Sequence, residues 1–120
     1  MGYFFDSSSI IEIINKNKDY IKFKDEIIIT NTLNIAEVYY HLLKEHNEQT
    51  ADYWTSHLNF ELMEITKEIA IKAAKLRRKY EKENISYADC IGYATALEND
   101  LIFLTSDERF AGKNQVEYVS

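Results

Sequence analysis

The sequence contains no proline, three glycines and a single cysteine in 120 residues, and no apolar run approaches the length of a membrane span. Each scarcity excludes something. With so little proline and glycine, asparagine, aspartate and serine must carry most of the turns and helix caps. Cys90 alone can form neither an intramolecular disulfide nor a cysteine-based zinc site, so nothing points to an oxidising compartment and the cytoplasm is the expected location. A membrane helix needs roughly 20 consecutive apolar residues. The opening MGYFFDSSSIIEIINKNK has an acid at position 6 and lacks the basic start of a secretory signal, so a soluble protein is expected. Positive charge is also short, with 20 acidic against 14 basic side chains and a formal net charge of -6. That balance argues against gripping nucleic acid through bulk positive charge. It remains compatible with a local cluster of carboxylates, because a divalent cation held there would supply the charge that a phosphate needs.

What is present is an alternation of strand-like and helix-like segments. Tyr3 to Phe5, Ile27 to Thr30 and Leu101 to Thr105 are short, almost continuously apolar and rich in aromatic or β-branched residues, the pattern of strands buried on both faces. Phe60 to Ile65 and Val116 to Val119 are weaker strand candidates. Between them, Ile10 to Ile14 after a serine cap at Ser7 to Ser9, the stretch LNIAEVYYHLLKEH from Thr32 or Asn34, and Gln49 to Leu58 read as helices. ITKEIAIKAAKLRRKYEKEN reads as one long amphipathic helix, and Ser86 opens another that stops near Asn99. This order predicts a single α/β domain over residues 1–120, with a helix-covered, mainly parallel sheet of about five strands.

Four acids stand out against that background. Asp89 is the only charged side chain between Ile85 and Leu97, in an otherwise apolar or small helix. An unpaired carboxylate there would be costly, so something should compensate it. A capping box with Ser86 accounts for it equally well. Asp6 follows a hydrophobic strand directly, at the strand end where open α/β sheets bind ligands, although a helix-capping aspartate fits the same position. Glu37 lies inside NIAEVYYHLL and Asp107 follows the strand ending at Thr105; singly, an exposed helical glutamate and a turn aspartate would explain them. Together, three or four carboxylates suit magnesium or manganese.

Taken in order, YFFDSSSIIEII, NIAEVYY and ADCIGYATALENDLIFLTSDERF resemble the successive motifs of the PIN-domain family over nearly the whole chain. The resemblance implies a three-layer α/β/α sandwich. It carries Asp6, Glu37, Asp89 and Asp107 over as catalytic and metal-binding acids, and Ser8 as the small polar residue two places after the first, while Thr105 is expected to line the site. It further implies Mg2+- or Mn2+-dependent hydrolysis of RNA to a 5′ phosphate and a 3′ hydroxyl. The compact form is most similar to VapC-type toxins of VapBC toxin-antitoxin systems, which implies an RNA substrate, a small antitoxin partner and a homodimer. Departures from the family pattern are His41 and the Asn99-Asp100 pair where glycines are frequent, and Ser106 where a basic residue is common.

Other readings remain on the table: a PIN-domain RNA-processing factor, a catalytically silent PIN binding module, and a receiver-like signalling domain. The receiver reading is weakened because serines follow Asp6 and Thr30-Asn31 ends the second strand, where paired acids and a phosphoacceptor aspartate would be needed. Lys75, Arg77, Arg78, Lys79 and Lys82 would suit RNA guidance but also form an ordinary solvated helix face, and they are assigned no site. His41, His46 and His57 show no zinc-hydrolase spacing.

Overall fold

The computed structural model describes residues 2–120; Met1, the first residue of the expected domain, lies outside them. Five strands, β1 (Tyr3–Phe5), β2 (Ile28–Thr30), β3 (Phe60–Leu62), β4 (Ile102–Thr105) and β5 (Val116–Tyr118), form one sheet in the order β3-β2-β1-β4-β5. Every pairing is parallel, with Phe4 opposite Ile29 and Phe103 in the two central registers. The helices are α1 (Ser7–Ile14), α2 (Thr32–Glu45), α3 (Glu48–His57), α4 (Lys67–Lys79) and α5 (Tyr87–Glu98).

The two-residue period of the strands distributes the core. Phe4 and Phe103 enter one apolar cluster with Ile69, Ala73, Tyr93 and Phe110, whereas their neighbours Phe5 and Leu104 enter another with Ile10, Val38, Leu42 and Ala51. Helices α4 and α5 thus cover one face and α1, α2 and α3 the other, which makes the expected three-layer α/β/α sandwich. Burial on both faces explains why the central strands read as continuous apolar runs rather than alternating ones. Gly92 permits the close approach of α5: a Cβ there would lie 3.3 Å from the rings of both Phe4 and Phe103.

Local details differ from the sequence reading in instructive ways. The cap of α1 is Asp6 itself, whose carboxylate accepts from the Ser9 N–H at 2.8 Å, so the three serines lie inside the helix. The segment expected as one long helix breaks after Lys79: a 3-10 turn at Glu81–Glu83 leads to Asn84, with left-handed backbone at φ 56°. The left-handed residue after α5 is Asp100, at φ 53°, one place beyond Asn99, which serves as the cap. A further 3-10 turn at Lys18–Phe23 has no clear apolar period and was not anticipated; its Tyr20 hydroxyl donates to the Val119 carbonyl at 2.6 Å.

Candidate functional site

Because all strands run the same way, their carboxyl ends share one edge, and three of the four acids follow from that topology. Asp6 leaves β1, Asp107 stands two residues beyond β4, and Glu37 lies in the second turn of the helix that follows β2. Asp89 arrives differently. Helix α5 runs back toward the start of β4, so its first turn sits over the same edge and brings Asp89 with it.

Asp6 is the best-fixed member. It is 3% exposed, and its two carboxylate oxygens are divided among neighbours. Ser8 Oγ and the Ser9 N–H donate to Oδ1 at 2.7 and 2.8 Å, and Thr105 Oγ1 donates to Oδ2 at 2.5 Å. Thr105 Oγ1 in turn accepts from the Asp107 N–H at 3.0 Å, and Ser8 Oγ from the Ser106 N–H at 3.0 Å. One buried hydroxyl therefore ties the ends of β1 and β4 together. Burial pushes the Asp6 carboxyl up to about 6 despite the hydrogen bonds that pull it down, and the Asp89 charge adds to the rise.

Asp89 and Asp107 face a shared cation, Arg109. Its guanidinium grips Asp107 through Nε and Nη2, with Nη2 to Oδ2 at 2.6 Å, and reaches Asp89 Oδ2 at 3.5 Å. Nη1 donates to the Asn84 carbonyl at 2.7 Å, and Lys113 braces the arginine by donating to its carbonyl oxygen at 2.8 Å. Partial burial raises Asp107, yet the hydrogen bonds and charge of Arg109 outweigh that and leave its carboxyl below the usual range. Asp89 moves the other way: desolvation and the Asp107 charge outweigh Ser86 and Arg109, and its carboxyl lies above the usual range. The capping account of Asp89 is also realised, since Ser86 Oγ accepts from the Asp89 N–H at 3.2 Å. Capping uses the backbone amide, while the carboxylate is engaged separately by the Ser86 side chain and by Arg109. Glu37 stands at the rim, exposed, with its carboxyl raised by desolvation and by Asp89 and lowered by a hydrogen bond with Ser7.

The arrangement is short of positive charge, with four acids coupled to one another and Arg109 in direct contact with two of them. All the candidate side chains are oxygen donors, and the group that sits between two of them is a cation. That chemistry fits a hard divalent ion such as Mg2+ or Mn2+. The spacing is looser than a finished ion site, however: among the described residues, no three His, Cys, Asp or Glu side chains approach closely enough to hold one metal ion.

Three further residues belong to this edge and were not assigned to it from sequence. Arg109 lies in the short DERF segment, to which the sequence reading gives no separate role. Asn34, one turn before Glu37, accepts from the Ser7 N–H at 3.1 Å and so ties α2 to α1. Asn31 caps α2 by accepting from the Asn34 N–H at 3.0 Å. The Nδ2 atoms of Asn31 and Asn34 are buried without a protein partner among the described residues. In the sequence the available signal was an apolar run, Ile27 to Thr30, that gives way to two asparagines.

Comparisons with known proteins agree with this picture. The family model described as the PIN domain matches residues 3–114. Among solved structures, a toxin-antitoxin complex from Klebsiella pneumoniae is 23% identical, with 98% of this chain and 96% of that chain covered and a TM-score of 0.74. VapBC2 from Rickettsia felis, bound to a DNA fragment from its promoter, is 17% identical with 98% of both chains covered and a TM-score of 0.77. VapC20 of Mycobacterium tuberculosis, a toxin that cleaves the sarcin-ricin loop, is 12% identical with 94% and 95% covered and a TM-score of 0.74. Comparison with curated proteins yields no match.

Proposed function

The chain belongs to the PIN-domain family, and on that premise we propose that it is a metal-dependent endoribonuclease, the toxin of a type II toxin-antitoxin pair. The observation that carries this reading is the acid edge itself, where a buried carboxylate fixed by two hydroxyls stands beside acids answered by only one contacting guanidinium. The toxin and toxin-antitoxin structures that share the fold support the narrower reading, with a small antitoxin as partner. A homodimer and cytoplasmic location complete it. Among the described residues no helix is long and apolar enough to cross a membrane.

In this mechanism Asp6, Asp89 and Asp107 would hold Mg2+ or Mn2+, with Glu37 completing or orienting the set. The ion's contribution is Lewis acidity, which activates water and offsets charge on the scissile phosphate. The chain's own side chains do the rest. Thr105 and Ser8 aim the Asp6 oxygens and exclude alternative rotamers, so the carboxylate loses little freedom when a cation arrives. Below about pH 6 Asp6 holds a proton and its affinity for a cation falls. Arg109 keeps Asp107 ionised and limits the repulsion between it and Asp89.

A second reading, a catalytically silent PIN binding module, draws on one observation: Arg109 already engages Asp89 and Asp107, and no three acids are spaced to hold an ion. One experiment separates the two. Purified protein is incubated with a mixed pool of structured and unstructured RNA and with Mg2+ or Mn2+, beside EDTA and the Asp6→Asn, Asp89→Asn double variant. Metal-dependent cleavage that disappears in both controls establishes the nuclease. Intact RNA with either metal, together with no calorimetric metal binding, establishes the silent module.

A further inference from the structure

Outside the acid edge, the most unusual concentration of chemistry is basic. Between residues 72 and 82 stand six lysines and arginines and one acid, in a chain whose net charge is -6. A sequence reading assigns them to a solvated helix face, and for Lys72, which pairs with Glu98 at 3.0 Å, that suffices. It does not suffice for Arg77 and Arg78. Both line a cleft of about 300 Å³ between the end of α4 and the start of α5, together with Glu81, Asn84, Ile85 and Tyr87. Arg77 turns inward, its guanidinium carbon 4.2 Å from the centre of the Tyr87 ring and its Nε directed at the Ile85 carbonyl. Tyr87 nevertheless stays 53% exposed. Arg78 contacts Glu81 at 2.6 Å, an exposed pair that costs little to redirect.

The cleft lies across the first turn of α5 from the acid edge and is linked to it through Arg109. The carbonyl of Asn84, one of its lining residues, accepts from Arg109, whose other nitrogens reach Asp107 and Asp89. Tyr87 and Asp89 share the first turn of α5. An aromatic ring backed by a guanidinium, with a second guanidinium alongside, suits a base and its phosphate: every base has a face to stack, and the planar cation binds phosphate oxygens in a fork. A volume of this size is at the lower end of small-ligand pockets, which suits one nucleotide better than a folded helix.

We propose that the cleft lined by Arg77, Arg78, Asn84 and Tyr87 takes one unpaired nucleotide of a single-stranded RNA substrate, with the base on Tyr87 and the phosphate at the guanidinium pair. This subsite rests on the ribonuclease reading and supplies what the acidic chain otherwise lacks, a local hold on substrate next to the acids. It selects for unstacked nucleotides rather than for sequence, because stacking is sequence-tolerant.

The test is fluorescence anisotropy of a labelled single-stranded oligoribonucleotide on the wild-type protein in EDTA, where no metal-dependent cleavage occurs, followed by KM measurements with metal. Tyr87→Ala should weaken binding and raise KM by roughly tenfold. Tyr87→Phe, which keeps the ring, should restore both. Arg78→Ala should reduce the slope of log affinity against log salt by about 0.7, the loss of one single-strand phosphate contact. Metal affinity by calorimetry should be the same in all variants. Wild-type affinity in Tyr87→Ala would overturn the proposal, as would equal loss in Tyr87→Phe and Tyr87→Ala, or equally strong Tyr87-dependent binding of duplex RNA. Tyr87-dependent binding of single strands by a wild-type protein that cleaves nothing would uphold the subsite while removing the nuclease.

Discussion

The first turn of α5 separates two opposite electrostatic regions. On one side Asp6, Asp89 and Asp107 are half-buried to buried and knit by hydrogen bonds to Ser8, Thr105 and Arg109. On the other, Arg77, Arg78 and Tyr87 border an open cleft and are held mainly by stacking and an exposed ion pair. The acid side is fixed before any ligand arrives; the basic side can adapt. Net charge describes neither region. A chain at -6 can present a local excess of guanidinium within reach of its acids, and the field a substrate meets is the local one.

The contrast can be broken most severely at the acids. Asp6→Asn should reduce RNA cleavage by roughly a hundredfold or more, with circular dichroism unchanged, because it removes the one acid whose both oxygens are already aimed. Near-normal cleavage in that variant would show that the rigid side is scaffolding.

The next effect is on stability in the absence of metal. Folding raises the Asp6 carboxyl from 3.8 to about 6, so between those values the folded chain keeps a proton that the unfolded chain releases. Stability from this group is therefore fully present below about pH 4 and is lost as pH rises through about 6. The loss should be on the order of 3 kcal/mol. Urea unfolding of wild type and Asp6→Asn across that range isolates it: the difference between the two curves should shift in favour of the variant as pH rises, and parallel curves would exclude it.

Thr105→Val tests what fixes the acid. It removes the donor to Asp6 Oδ2 and the acceptor for the Asp107 N–H at nearly constant volume, and should cost about 1–3 kcal/mol. Because that hydrogen bond favours the charged form, the acid limb of the pH–rate profile should also move to higher pH. A destabilised variant with an unmoved profile would confine Thr105 to a structural role.

Arg109→Ala should give the smallest change. The Asp107 carboxyl is held low by Arg109, so the stability this pair contributes is present above the ordinary carboxylate pKa and disappears as pH falls below it, through the lowered value. Partial exposure limits it to less than about 1 kcal/mol. Without the competing guanidinium, calorimetric affinity for Mg2+ should rise a few-fold; weaker binding would mean that Arg109 organises the acids rather than competing for them.

Much of this was legible in the sequence. Tyr3 to Phe5 and Leu101 to Thr105 announced buried parallel strands because both faces of the sheet are covered, and the run from Ser86 to Leu97 announced a buried helix because Asp89 is its only charged residue. The long helix expected across Ile65 to Asn84 was misread past Lys79. Its charges keep a helical rhythm through Glu83, but Tyr80 turns toward the core and Asn84 adopts left-handed backbone to deliver the chain to α5. The serine cap was displaced by one residue because Asp6 caps α1 with the same carboxylate that was expected to serve the site.

By itself the sequence determined which segments bury apolar surface, the order of strands and helices, and which acids interrupt apolar runs or follow strand ends. Those properties are local, set by residue type and spacing along the chain. Only the tertiary structure decided that a hydroxyl 99 residues from Asp6 would share its charge, that Arg109 would stand between two of the acids, and that Arg77 would turn under Tyr87 to open a cleft beside them. These contacts depend on the parallel sheet bringing distant strand ends to one edge, where burial and proximity set the energies that chain spacing does not encode.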